Sequence, residues 1–570
     1  METQWEILEL SEEQHALCRS LAEELCISEH SAHMLVARGL RTAEAARAYI
    51  RPSLEQLEDP FLMKDMNEAV ERLDRALQSG ERIMVYGDYD VDGTTAVALM
   101  YTFLKRLTEN IEFYIPDRYT EGYGISFQGI DTAEAHGCSL VIALDCGIKS
   151  VDKIAYASAK NIDFIVCDHH TPGDEIPAAV AVLNMKRKDC PYPYKELSGC
   201  GVGFKLVQAY SRYAGIAFET LVQYLPLTAM AIASDIVPVT GENRILAFYG
   251  LRGINNHPYV GIKAILEVAG LAGKNVTIQD LGYKVGPRIN ACGRMHSGRE
   301  AVELLITEDE AFARQQAQDI DSFNAERRDH DSQTTEEALA QLAADPENEK
   351  KHTTVVYSPN WHKGVVGISA SRLTETYYRP TIVLTAGGEE GIISGSARSA
   401  GGFDIYSAID SCRDLLTNFG GHAFAAGLSM RLSDLDEFKR RFEAYVAAHI
   451  REDQKCPTIE IEDEIALADI TPQFFNVLRH LEPFGPGNPR PLFLTRGLIN
   501  NRYTKRVGKS GEHLRLDVTD RTAAITGIAF GKGELALHLQ NGKAVDVVYE
   551  LEENVFNGVK SIQMMVEDIK

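Results

Sequence analysis

Three aspartates, Asp88, Asp90 and Asp92, stand at alternate positions in VYGDYDVDGTT (85–95), directly after the apolar run Ile83–Val85. Asp145 ends a second such run, SLVIALD (139–145), and Asp168, His169 and His170 end a third, DFIVCDHH (163–170). Asp235, in AIASDIVPVT, closes an apolar helical stretch. Carboxylates this numerous repel one another in a single cleft unless cations lie between them. Oxygen donors with a few imidazoles suit Mg2+ or Mn2+, and Mn2+ accepts the nitrogen more readily. Two such ions about 3.5–4 Å apart, bridged by one carboxylate, clamp a phosphoryl group and activate water for in-line attack.

Other readings of the same residues are weaker. DYDVDG matches the start of an EF-hand loop, but Leu99 stands where that loop needs a bidentate glutamate, and a strand precedes it instead of a helix. Helix capping requires one carboxylate, not three followed by DHH. GKS at 508–510 lacks the first glycine of a P-loop, Tyr503 holding its place, and SGCGVG (198–203) lacks the third glycine of a dinucleotide fingerprint. The latter reads as close helix packing.

These acids are useful only if one framework brings them together. β-branched apolar runs at 82–87, 111–116, 139–145, 163–168 and 179–185 alternate with helical segments near 94–108, 128–137 and 149–161. That rhythm predicts a parallel, doubly wound α/β sheet, whose ligands gather outside the carboxyl ends of its strands. Helices are expected over 202–234. The polar stretch from 308 to 345 is charged nearly all round, which suits a helix bridging two domains. A second α/β unit follows, with strands at 353–358, 381–386 and 391–397 and helices near 365–377 and 404–416. From about 457, short alternating strands predict a small β-barrel of OB type. The expected domains are a helical extension (1–75), the acid-bearing sheet (76–305), a connecting helix (306–350), the second α/β domain (351–456) and the barrel (457–570).

A chain of 570 residues is too long for a single core. It contains no apolar run long enough for a membrane span, and its first residues lack the basic and apolar regions of a signal peptide, so a cytoplasmic protein is expected. Its ten cysteines include no C-x-x-C pair and read as reduced, buried thiols. A net charge of −24 argues against indiscriminate coating of nucleic acid. Yet nine Lys or Arg and only three Asp or Glu lie between Arg490 and Lys532, a local basic patch with Tyr503, His513 and Phe530 interspersed. Basic grooves with stacking rings hold single strands.

YGDYDVDG, ALDCG, DHH and ASDIVP, in that order, resemble the DHH phosphoesterase superfamily. PSLEQLEDPFLMKDM (52–66), IPDRYTEGYGI (115–125), GPRINACGRM (286–295), SGSARS (394–399), FGGHAFAAG (419–427) and LEPFGPGNPRPLF (481–493) extend the resemblance over nearly the whole chain. Within the superfamily they point to its single-stranded-DNA-specific exonucleases. The resemblance implies a DHH domain, a DHHA1 domain that holds substrate over the metals, and 5′→3′ hydrolysis in DNA repair and recombination. A DNA helicase and a single-strand-binding protein are the implied partners. It assigns Asp90, Asp92, Asp145, His169 and Asp235 to two Mn2+ or Mg2+ ions with Asp145 as bridge, and leaves Asp88 as a ligand or its support. His170 would face the scissile phosphate and Asp168 would orient a neighbouring ligand.

In the DHHA1-like region, Ser396, Arg398 and Ser399 form an expected short polar turn suited to a terminal phosphate, and GGH offers backbone amides and His422. Arg288 and Arg294 either reach the DNA backbone or pair with local acids. The competing functions are a DHH hydrolase acting on short oligonucleotides, which the barrel argues against, and an inactive replication scaffold, which the filled ligand positions argue against.

Overall fold

The computed structural model describes residues 3–556 and 558–570. Five strands form the first sheet: β1 (Arg82–Gly87), β2 (Ile111–Tyr114), β3 (Cys138–Leu144), β4 (Asp163–Cys167) and β5 (Ala181–Leu183). Their order is β2-β1-β3-β4-β5 and every pairing is parallel. The strands are buried on both faces, which is why they read as continuous apolar runs without alternation. Helices α1 (Val91–Lys105), α2 (Phe127–Ala135) and α3 (Val151–Ala159) make the crossovers, and α4 (Gly199–Tyr213) and α5 (Leu225–Ser234) follow. One face packs Met84, Tyr86, Val141, Phe164 and Val166 against α2 and α3; α1 packs with α4 and α5. The sheet is doubly wound, as expected.

Helix α6 (Gly286–Met295) leads to α7 (Glu310–Ala343), the long connecting helix. Contrary to the reading of α7 as polar all round, Ala313, Ala317, Ile320, Asn324, Asp331, Thr334, Ala338 and Leu342 are buried along it. They recur every three or four residues, and small and polar side chains hid the stripe from a hydropathy reading. The stripe packs on α6 and on α8 (Val366–Tyr377).

The second sheet contains β6 (Thr354–Tyr357), β7 (Thr381–Ala386), β8 (Ile392–Arg398), β9 (Leu416–His422) and β10 (Ala425–Arg431), in the order β9-β10-β8-β7-β6. Only β6 and β7 are parallel. The helix expected over 404–416 is the short Ile405–Asp410, after which the chain turns into the β9–β10 hairpin. The Ser396–Arg398 segment, expected as a turn, is instead strand β8.

The first and second sheets lie in one compact unit, with residues 59–235 and 249–457. A second unit contains residues 5–58, 236–248 and 458–570. The N-terminal helices are thus part of the barrel's unit: Met34, Leu35 and Ala46 share a core with Phe474, Phe493 and Tyr549. The barrel strands are β11 (Phe493–Asn500), β12 (Lys505–Val507), β13 (His513–Thr519), β14 (Ala524–Ala529), β15 (Val545–Phe556) and β16 (Val559–Ile569). A β11–β13 pairing partly closes the ring. No helix among the described residues is long and apolar enough to cross a membrane.

Candidate active site

Parallel strands carry their acids to one rim. Asp88 follows β1, Asp145 follows β3 and Asp168 follows β4; all three are buried. Asp145 sits in the left-handed backbone region (φ 59°), which Asp tolerates better than most residues and which is a recurrent form of strain at sites of chemistry. Its amide still bonds to the Cys167 carbonyl at 2.9 Å, so the turn is anchored on the sheet. Asp90 caps α1, accepting from the Gly93 amide at 3.0 Å. Asp92 lies in the first turn of α1, and Asp235 is the C-cap of α5.

His169 joins them. Its Nε2 lies 3.2 Å from Asp145 Oδ1, 3.4 Å from Asp235 Oδ2 and 3.8 Å from Asp92 Oδ2. Burial, then the neighbouring His170, holds the ring down to about 3, so it is neutral and these are not ion pairs. Burial pushes Asp88 up to about 8 and Asp92 up to about 7, with the Asp90 charge adding to both. Asp145 and Asp235 are pushed well above the usual carboxyl range, by burial and then by Asp92 and Asp90. Both ring nitrogens of His169, Asp145 Oδ1 and Asp88 Oδ2 are buried without a hydrogen bond among the described residues. Converging lone pairs without donors fit a cation.

Donor atoms close enough to share an ion fall into two sets, Asp92–His169–Asp235 and Asp145–His169–His170. Asp88 and Asp90 stand outside both.

Backbone amides hold Asp92 in place. The Gly199 amide donates to its Oδ2 at 2.6 Å and the Cys200 amide to its Oδ1 at 2.7 Å, from the first turn of α4. A carboxylate is favoured there by the free amides and the helix dipole. A Cβ at position 199 would stand 2.6 Å from Asp145 Cβ and Oδ1, so only glycine lets the helix approach. SGCGVG is therefore close packing, as expected, and a grip on a site carboxylate as well.

Asp168 orients His170, not His169. Its Oδ1 accepts from the His170 backbone at 3.0 Å and lies 2.7 Å from His170 Nδ1; its Oδ2 accepts from the Ile148 amide at 2.8 Å. Burial works against charge on the His170 ring, but the bond to Asp168 and its charge outweigh this and raise the ring's pKa. The far nitrogen, Nε2, lies 3.1 Å from the Tyr123 hydroxyl, which is also 3.2 Å from the Asp145 carbonyl. Tyr123 was not legible as a site residue: nothing in its local pattern separates it from other loop tyrosines.

Beside this centre a cleft of about 410 Å3 opens toward the second sheet, lined by Arg118, Tyr119, Lys363, Ser396, Asn418 and Gly420. Ser396 and Arg398 are two apart on β8 and so share a face, which looks onto the start of α8. A Cβ on Gly367 would lie 2.9 Å from Arg398 Nη2 and 3.2 Å from Ser396 Oγ. Burial alone lowers the Arg398 pKa, and no carboxylate pairs with it among the described residues. His422, exposed, falls in the same cross-strand row through Ala425.

Other expected contacts are committed elsewhere. The Ser399 hydroxyl donates to the Phe403 carbonyl. Arg288 pairs with Asp321 of α7 at 2.8 Å and also donates to the Lys284 carbonyl, the local pairing that was one of its two expected roles. Arg294 donates to the Gly364 carbonyl at 2.9 Å, and the Tyr119 hydroxyl donates to the Arg294 carbonyl at 2.5 Å. Burial, then Arg118 and Arg327, lower its pKa to about 10.

Comparison with known proteins agrees with this architecture. Family models match as the DHH family N-terminal domain (82–232), the DHHA1 domain (348–448) and the RecJ OB domain (461–568). The single-stranded-DNA-specific exonuclease RecJ of Bacillus subtilis is 35% identical over 96% of this chain and 69% of its own. That of Escherichia coli is 33% identical over 94% of this chain and 95% of its own. Two crystal structures of Thermus thermophilus RecJ, in complex with Mn2+ and with Mg2+, cover 100% of this chain and 79% and 78% of their own. They have TM-scores of 0.84 and 0.78 and identities of 30% and 29%. The chain belongs to the RecJ family of single-stranded-DNA-specific exonucleases.

Proposed function

We propose that this chain hydrolyses single-stranded DNA from the 5′ end, using two divalent ions, Mn2+ or Mg2+. The observation that carries the reading is the convergence of Asp92, Asp145, His169 and Asp235, in which Asp145 Oδ1 and both ring nitrogens of His169 are buried without a hydrogen bond among the described residues. Asp145, Asp92, Asp235 and His169 would hold the ions, with Asp88 and Asp90 adding negative charge around them. Bound there, the ions supply activated water and neutralise charge developing on the phosphoryl oxygens.

The chain's own groups do the rest. The Asp168–His170 pair keeps Nδ1 occupied, which leaves Nε2 to face a phosphoryl oxygen in place of the Tyr123 hydroxyl. Ser396 lines the cleft, and beside it on β8 stands the Arg398 guanidinium, which donates to the Ala397 carbonyl at 2.8 Å and pairs with no carboxylate among the described residues; together they offer a site for a dianionic terminal phosphate. His422 and the GGH amides border the same row, and Arg294 holds the 351–456 domain against the 76–305 domain. A strand opened by a DNA helicase, or delivered by a single-strand-binding protein, is the substrate such a cleft requires. The proposed function includes a role in DNA repair and recombination and a cytoplasmic location.

The test uses single strands labelled at either end, with Mn2+, with Mg2+ and with chelator. Mononucleotide release from the 5′ end, dependent on metal, is expected. Asp145→Ala should lose it by at least about a thousandfold, because removing metal-held chemistry forfeits several kcal/mol of barrier lowering. Its metal-free melting temperature should be unchanged or higher, since a crowded charge is gone. Release from the 3′ end, or cleavage without metal, overturns the reading.

A further inference from the structure

A groove of about 790 Å3 lies in the barrel's unit, formed by residues 6–9, 458–462 and 487–492 with Glu567 at its rim. Its floor is apolar: Ile7, Ile459 and Leu492 are half-buried over Ile461, Leu494 and Val548. One wall is the strand Gln4–Ile7, paired with Thr458–Ile461 in a sheet of only two strands. The Gln4 amide donates to the Pro457 carbonyl at 2.9 Å and the Leu8 amide to the Ile461 carbonyl at 2.8 Å. Backbone groups alternate sides along a strand, so the amides and carbonyls of Trp5 and Ile7 point away from that partner, toward the sheet's open edge.

The groove is also strongly acidic. Glu6, Glu9, Glu460 and Glu567 line it, and none has an ion-pair partner among the described residues. Its two arginines are already engaged. Arg38 pairs with Glu462 at 2.7 Å and donates to Asn488 at 2.8 Å; Arg490 lies 3.4 Å from Glu550 and 3.9 Å from Glu482. Four unpaired carboxylates around an apolar floor repel a phosphate backbone, so the occupant is not nucleic acid.

We propose that this groove docks an extended, lysine- or arginine-bearing segment of a partner protein. The segment adds a third strand to Gln4–Ile7, sets an apolar side chain against Ile7 at the near edge of the apolar floor, and places its cations against the carboxylates Glu6, Glu9, Glu460 and Glu567. Main-chain bonds supply affinity, and the charge pattern selects the partner and excludes DNA from this side of the unit.

The probe is a fluorescein-labelled peptide of alternating valine and lysine, titrated with the full chain and followed by anisotropy. Saturable binding that weakens with salt is expected. The Glu6→Lys, Glu460→Lys double variant should weaken it by about tenfold or more, the scale of two reversed rim contacts. A peptide methylated on alternate backbone nitrogens should bind no better than a valine–glutamate control. Both glutamates are exposed and outside the nuclease site, so melting temperature and cleavage of short strands should be unchanged, which separates this result from any failure of the nuclease reading. Absence of saturable binding overturns the proposal, as does binding indifferent to charge reversal. Competition by single-stranded DNA, or a dimer in sedimentation that buries the groove, overturns it in favour of those occupants.

Discussion

His169 is neutral although it is surrounded by acids, and that fixes how the site should respond to pH. An unperturbed aspartate titrates near 3.8, whereas folding moves Asp88 to about 8, Asp92 to about 7, and Asp145 and Asp235 well upward. Raised carboxyls bind protons in the folded state that the unfolded chain has released. Their stabilisation is therefore complete below about pH 4 and lost as the pH climbs through 7 and 8. His169 acts in the opposite sense: its value falls from 6.5 to about 3, so its contribution is present above 6.5 and lost on acidification. Four carboxylates outnumber one imidazole. Divalent ions replace those protons, so the rise in melting temperature on adding Mn2+ should be larger at about pH 8 than at about pH 5.5, by about 2 °C or more. Equal shifts in a scanning-fluorimetry series would sink the assignment of these acids to the ions.

Arg398 gives a second expectation at this scale. Two ions cut any phosphodiester that reaches them, so end selection needs a stop beyond them. A guanidinium beside Ser396, paired with no carboxylate among the described residues, favours the doubly charged terminal phosphate over an internal diester. Arg398→Ala should erase the preference for 5′-phosphate over 5′-hydroxyl strands, worth about 1–3 kcal/mol. Initial rates on both strand types decide it. Lys363→Ala, in the cleft that Ser396 lines, is the control, since Arg288 is tied to α7 and its loss would loosen the fold. Equal slowing on both strands would make Arg398 an ordinary backbone contact.

Among the elements, α4 shows what spacing could and could not reveal. Strand ends and their acids were legible because a parallel sheet converts sequence order into a single rim, and Asp145, Asp168 and His169 fall where the runs stop. The grip of α4 on Asp92 was not legible: it is made by backbone amides, which every sequence has, and only the glycine at 199 marks the close approach. Asp168 was expected to orient a neighbouring ligand; its hydrogen-bond partner is the His170 ring, a choice set by a two-residue turn and not by residue type. The β9–β10 hairpin escaped because LTNFGGHAFAAG is poor in β-branched residues, leaving cross-strand pairing to decide the fold locally. One motif that carried the family resemblance is tied into the fold of its unit. In LEPFGPGNPRPLF, Asn488 donates to the Leu481 and Pro483 carbonyls and accepts from Arg38, while Arg244 donates to the carbonyls of His480 and Glu482. The grip of α4 makes its own prediction. Gly199→Ala pushes a methyl into Asp145 and displaces the amides from Asp92, so Mn2+ affinity should fall about 10–100-fold, as when other supports of metal ligands are lost. Titrating the melting temperature with Mn2+ measures this without reference to cleavage, and unchanged affinity would separate α4 from the site.

Across the whole molecule, a chain of net charge −24 must bring an anionic polymer to an acidic centre, and the barrel carries the local exception. Deleting everything after residue 457 would not test this, because the N-terminal helices share the barrel's core and would lose it. The β12–β13 pairing offers a cleaner test. Lys505 stands directly across from Arg515, both are exposed, and neither has an acidic partner among the described residues. Like charges in directly opposed positions cost stability unless an anion lies over them. Tyr503, 68% exposed just before β12, is placed to stack a base next to that anion. Replacing both cations with glutamine should leave the melting temperature unchanged or raise it, since the repulsion disappears. Binding to long single strands should weaken, and the slope of log affinity against log salt should become shallower by about 1.4, the value for two lost phosphate contacts at about 0.7 each. Cleavage of strands too short to reach the barrel should proceed at the parent rate. If the salt slope is unchanged, the pair does not meet the strand; if short and long substrates suffer alike, the barrel supports the fold instead of holding DNA.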